Sequence, residues 1–94
     1  MRGPRLALTY APRDAGAAVA FAIPKKVGGA VVRNRTRRRV RALLDERSRA
    51  GALRPGVYLV HVPAPLDDLD ASALRSNVDQ LLDALGARVA SSAR

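Results

Sequence analysis

The stretch from Lys25 to Arg41, KKVGGAVVRNRTRRRVR, gathers eight cationic side chains in seventeen residues. Arginine dominates it, and a guanidinium offers a planar fork of donors that matches phosphate oxygens two at a time. Six arginines fall between Arg33 and Arg41, close enough to repel one another. Such a run normally interleaves acids unless a polyanion supplies the countercharge. Apolar residues persist within it, which a disordered basic tail would lack. The chemistry on offer is recognition of polyphosphate by a rigid cationic face, with nucleic acid as the leading partner. An anionic membrane surface is the second candidate. Against lipid, the apolar stripe of this segment holds no Trp or Phe.

No catalytic constellation stands beside it. His61, the single histidine, sits between Val60 and Val62 and reads as a structural or surface residue. Thr9, Ser48, Ser72 and Ser76 lack the base and orienting partner a nucleophile needs. Asp67, Asp68 and Asp70 are better explained as the approach to a helix N-terminus than as a cation site, and no metal site is expected. Gly28-Gly29 matches no nucleotide-binding loop. It reads instead as a flexible link that folds Lys25 and Lys26 back beside a helix start, where N–H groups and the dipole favour phosphate.

With 94 residues the chain makes one domain, 1–94, whose ends at 1–4 and 90–94 are expected to be frayed. Residues 1–49 hold 13 Lys/Arg against 3 acids and residues 50–94 hold 4 against 5, so the net +9 is concentrated rather than spread. Phe21, Tyr10 and Tyr58 are the only aromatics of the usual kind, and the core must be aliphatic. The absence of cysteine fits a reducing, cytoplasmic setting. No apolar run reaches a membrane-spanning length, and Met1-Arg2-Gly3-Pro4 opens no signal segment.

The elements that must hold the cationic run follow from periodicity. Arg5–Tyr10 reads as a strand and Ala17–Ile23 as another, with Val19, Phe21 and Ile23 on a core face. Ala18, Ala20 and Ala22 leave the opposite face open to a helix or a ligand. A helix from about Val32 to Arg49 places Thr36, Val40, Leu43, Leu44 and the Arg47 stem on one side. Asn34, Arg37, Arg38 and Arg41 fall opposite, Arg35 and Arg39 lie on a flank, and Arg33 nears the apolar border. Asp45 and Glu46 are spaced to pair with Arg41 and Arg49. Val57–Val62 is a strand stopped by Pro63 and Pro65. A final helix capped by Asp70 or Ser72 buries Leu74, Val78, Leu81, Leu82, Leu85 and Val89. The order is ββαβα: an α/β (α+β two-layer) fold, a small mixed sheet with helices packed on one face.

The block Lys25–Arg41 resembles the signature of the protein subunit of bacterial ribonuclease P, Lys-Lys-x-Gly-Asn-Ala-Val-x-Arg-Asn-Arg-x-x-Arg-x-x-Arg. Gly29 stands where that pattern has Asn, and the looser likeness runs from Arg5 to Val89. The resemblance implies a left-handed βαβ crossover, opposite to the usual hand, and a family amino-terminal helix missing here. It implies a protein that joins a catalytic RNA and assists removal of the 5′ leader from precursor tRNA. The endoribonuclease centre, with its Mg²⁺, would then belong to the RNA. Carried over, the RNA-binding positions are Lys25, Lys26, Arg33, Asn34, Arg35, Arg37, Arg38 and Arg41, and the weaker leader-binding positions are Tyr10 and Ala22. The partners implied are the catalytic RNA and the leader, without membrane or obligatory protein partner. A small structural or ribosomal RNA-binding protein, or a duplex-DNA module, would share the electrostatics without the processing role.

Overall fold

Alternation of small and large apolar residues produces three six-residue strands: β1 (Ala7–Pro12), β2 (Ala17–Ala22) and β3 (Gly56–His61). Periodicity near 3.6 produces two long helices, α1 (Ala30–Arg49) and α2 (Ala71–Ser92), with a 3-10 turn at Lys25–Val27 ahead of the first. The computed structural model describes residues 3–92. The sheet order is β1-β3-β2, with β3 antiparallel to β1 and parallel to β2. Strand β2, helix α1 and strand β3 therefore form a βαβ unit, and the whole is the expected two-layer arrangement.

Register decides what each sheet face carries. Leu8, Val60 and Phe21 stand abreast, as do Tyr10, Tyr58 and Val19. These rows turn toward the helices, where Leu8, Tyr58 and Val60 are buried with Val40 and Leu44 of α1 and Leu74, Val78, Leu81, Leu82 and Leu85 of α2. The alternate rows, including Ala7–His61–Ala22 and Thr9–Leu59–Ala20, occupy the other face. No helix among the described residues covers that face. The apolar stripe expected of α2 is buried throughout, with Val89 packed at its edge.

Several boundaries shift for identifiable reasons. The first strand begins at Ala7 rather than Arg5, since the Leu6 carbonyl ahead of it accepts from the Gly3 N–H, while the Arg5 side chain donates to Asp68 (2.8 and 2.5 Å) and to the Pro65 carbonyl (2.9 Å). Of the two candidate caps for α2, Asp70 serves: its Oδ1 accepts from the Ala73 N–H at 2.7 Å. Helix α2 continues to Ser92, past Ala90, where composition predicts fraying. Gly3 is likewise tied down, donating its N–H to the Leu6 carbonyl at 2.7 Å. Met1-Arg2 and Ala93-Arg94, also expected to fray, lie outside the described residues. Glu46 pairs with Arg75 of α2 instead of a neighbour on its own helix.

Candidate nucleic-acid interface

The cationic run folds as the 3-10 turn, a two-glycine link and the first three turns of α1. Gly28 makes the link tight: its φ is +156°, and a Cβ there would meet Val32 carbons at 2.8 Å. A side chain is therefore excluded at the point where the chain doubles back. Lys25 and Lys26 stay exposed just ahead of the helix. Gly29 is the N-cap and offers no side-chain acceptor, so the first-turn N–H groups keep free capacity for an anion.

Along α1 the two faces separate as periodicity requires. Val40 and Leu44 are each 2% exposed, Leu43 packs against the core, and Thr36 is buried, its hydroxyl donating to the Val32 carbonyl at 3.0 Å. Asn34, Arg35, Arg38 and Arg41 are exposed on the outer side, with Arg33 and Arg37 half-buried. Arg37 donates to Asn34 Oδ1 at 2.8 Å, which holds its fork outward. Arg41 lies 5.4 Å from the centroid of the Phe21 ring, a cation–π contact that steadies the guanidinium without neutralising it. Sequence spacing gave no warning of that contact, which joins a strand to a helix twenty residues away.

Among the described residues, Lys25, Lys26, Arg33, Arg37, Arg38 and Arg41 have no acidic partner, and Arg35 reaches Asp67 only at 3.9 Å. Two of the acids, Asp68 and Glu46, are engaged away from the run. Hydrogen bonding from Arg5 holds the Asp68 carboxyl below its usual range, and Arg75 does the same to Glu46. Arg39, in the middle of the run, behaves differently from its neighbours. It donates to the carbonyls of Leu66 (3.2 Å) and Leu69 (2.6 Å), pinning the segment between β3 and α2 against α1. The result is a stiff convex ridge of unneutralised cations, which suits a folded polyanion better than a small ligand.

A second feature opens on the uncovered sheet face. At its edge is a hollow of about 810 Å³ bordered by Arg5, Thr9, Ala22, Lys26, His61 and Pro63. Ala22, one of the two weaker positions, lies in its wall. Tyr10, the other, does not. Its ring turns to the helix side, 5.0 Å from that of Tyr58, and its hydroxyl donates to the Pro55 carbonyl. Gly56 makes room for it, since a Cβ at that residue would run into the Tyr10 ring. The alternation Leu6-Leu8-Tyr10 already carried this signal, because residues two apart on a strand share a face.

The chain is similar in sequence to known proteins. The family model described as Ribonuclease P matches residues 1–86. A Beutenbergia cavernae protein, Ribonuclease P protein component, is 41% identical over 87 residues, which cover 89% of this chain and 71% of that protein.

Proposed function

We propose, from the premise that the chain belongs to the ribonuclease P protein family, that its outward arginine ridge docks the catalytic RNA of that enzyme. The chain is the protein component of ribonuclease P, an enzyme of tRNA processing in which the RNA is catalytic and the protein is its cofactor. The observation that carries the docking surface is the sorting of charge on α1, where among the described residues the outward guanidinium groups other than Arg35 lack acids while inward residues are buried. Lys25, Lys26, Arg33, Asn34, Arg35, Arg37, Arg38 and Arg41 are the proposed RNA contacts. Folded RNA supplies the countercharge, and release of its condensed counterions supplies much of the affinity.

The 5′ leader of precursor tRNA, being single-stranded, fits the open sheet face and its hollow, with Ala22 in the wall. Tyr10, on the other face, takes no part. The residues here do not suit Mg²⁺. No three acidic or histidine side chains converge among the described residues, Asp68 is held by Arg5, and Asp70 caps α2. We therefore place the ion on the RNA. No described helix is long and apolar enough to cross a membrane, and the reading sets the protein in the cytoplasm with its RNA, without an obligatory protein partner.

The test is reconstitution with the cognate catalytic RNA. The protein should lower the Mg²⁺ requirement or raise precursor-tRNA affinity at near-physiological salt. Binding to the RNA with no effect on either would return the chain to the class of purely structural RNA-binding proteins.

A further inference from the structure

The rings of Phe21, Tyr10 and Tyr58 all turn to the helix side of the sheet, by register. Among the described residues this leaves one ring on the open face, that of His61. It stands between Ala7 on β1 and Ala22 on β2, is half-buried, and borders the hollow. Its Nε2 lies 3.0 Å from Thr9 Oγ1, a bond that sets the orientation of the ring. Nδ1 makes no hydrogen bond among the described residues. Nδ1 is thus open to a ligand in the hollow.

The charges around it share one sign. Lys26 enters from the 3-10 turn and has no acidic partner, while Arg5 enters ahead of β1 and is bound to Asp68. Strands β2 and β3 bring no other charged group to the hollow, and no carboxylate among the described residues lines it. Apolar walls, one polarisable ring and a free ammonium together match a single nucleotide, because unpaired bases stack on aromatic rings, histidine included, and phosphate seeks the cation.

We propose that His61 is an RNA-reading residue of this hollow: its ring face stacks on one unpaired base of the leader, and Nδ1–H of the protonated imidazole shares the adjoining phosphate with Lys26. The inference rests on the open face being the single-strand site, and it adds a pH dependence that this reading alone does not contain. Histidine is the side chain whose charge changes most readily near neutral pH. A bound phosphate favours the protonated form, so leader affinity rises as pH falls.

The measurement uses the reconstituted holoenzyme and compares affinity for precursor tRNA with that for the same tRNA lacking its leader, at about pH 6 and about pH 8 and constant salt. Taking the ratio cancels pH effects common to both RNAs. The wild-type ratio should be several-fold larger at the lower pH. His61→Phe should keep most of the ratio and lose its pH dependence, since a phenyl ring stacks but cannot charge. His61→Ala should reduce the ratio by roughly tenfold, the scale of one lost base–ring stack. Far-UV dichroism of each variant confirms that it is folded. A wild-type ratio near one at both pH values would overturn the single-strand reading and this inference together. A ratio above one that His61→Ala leaves intact, or a pH dependence that persists in His61→Phe, would overturn this inference alone.

Discussion

Along the first three turns of α1, Arg33, Arg37, Arg38 and Arg41 meet no carboxylate among the described residues. In its second half Arg47 donates to Asp79 and Asp83 of α2, both at 3.1 Å, and Glu46 accepts from Arg75 at 2.5 Å. One helix thus carries arginines into two surroundings, and the difference is where α2 crosses it. At the crossing, arginine is a structural residue whose stem packs and whose fork ties two helices together. Away from it, arginine is left to an outside anion. A count of basic residues cannot separate these roles, and neither can the exposure of any single side chain.

The comparison breaks most completely if the scaffold beneath both halves is removed. Leu44→Ala opens a cavity where α1 meets the core and should cost about 2–5 kcal/mol. In a domain of this size each kcal/mol lowers the melting temperature by roughly 4–8 °C. RNA affinity should fall with the folded fraction, and a thermal melt followed by dichroism reads the loss. Arg47→Ala should cost about 1 kcal/mol, through lost stem packing and two ion pairs whose carboxylates are 43% and 72% exposed. Its salt dependence of RNA binding should stay unchanged once folding is accounted for.

The opposite pattern is expected on the outer face. Arg38→Ala or Arg41→Ala should leave stability within about 0.5 kcal/mol, while the slope of log affinity against log salt falls by about 0.7–0.9 per residue removed. The loss should be similar for different RNAs. If either variant instead melts early with an unchanged slope, the two halves are not distinct in the way described.

The smallest effect sharpens the contrast through pH. Asp68 and Glu46 titrate below their ordinary values because Arg5 and Arg75 hydrogen-bond their ionised forms. A carboxyl depressed in the folded state stabilises it above the unfolded value, and that contribution disappears as pH falls through the folded value. Melting temperature should hold above about pH 5 and decline below about pH 4. Both groups are exposed, so the decline should be shallow. Replacing Arg75 with Ala should flatten it further, whereas replacing Arg38 should not.

Much of this was legible without coordinates. The split between Thr36, Val40, Leu43 and Leu44 on one side of α1 and Asn34, Arg38 and Arg41 on the other follows from helical period, and the buried stripe of α2 follows in the same way. The strands were legible too, within two residues. The sequence did not disclose Arg39 as a loop clasp, since its acceptors are carbonyls 27 and 30 residues away. It did not pair Glu46 with Arg75, because local spacing offered Arg49 and nothing marked the long-range alternative. That Tyr10 turns to the helix side was readable from its strand phase.

The amino-acid order determined the amphipathic faces, the concentration of charge and the Gly28 reversal, because periodicity and backbone sterics act over a few residues. Tertiary structure alone decided which arginines are neutralised, which sheet face stays open, and that His61 is the ring left on it. Those outcomes depend on strand order and on the crossing of α2 over α1, and contacts between residues distant in the chain have no local signature.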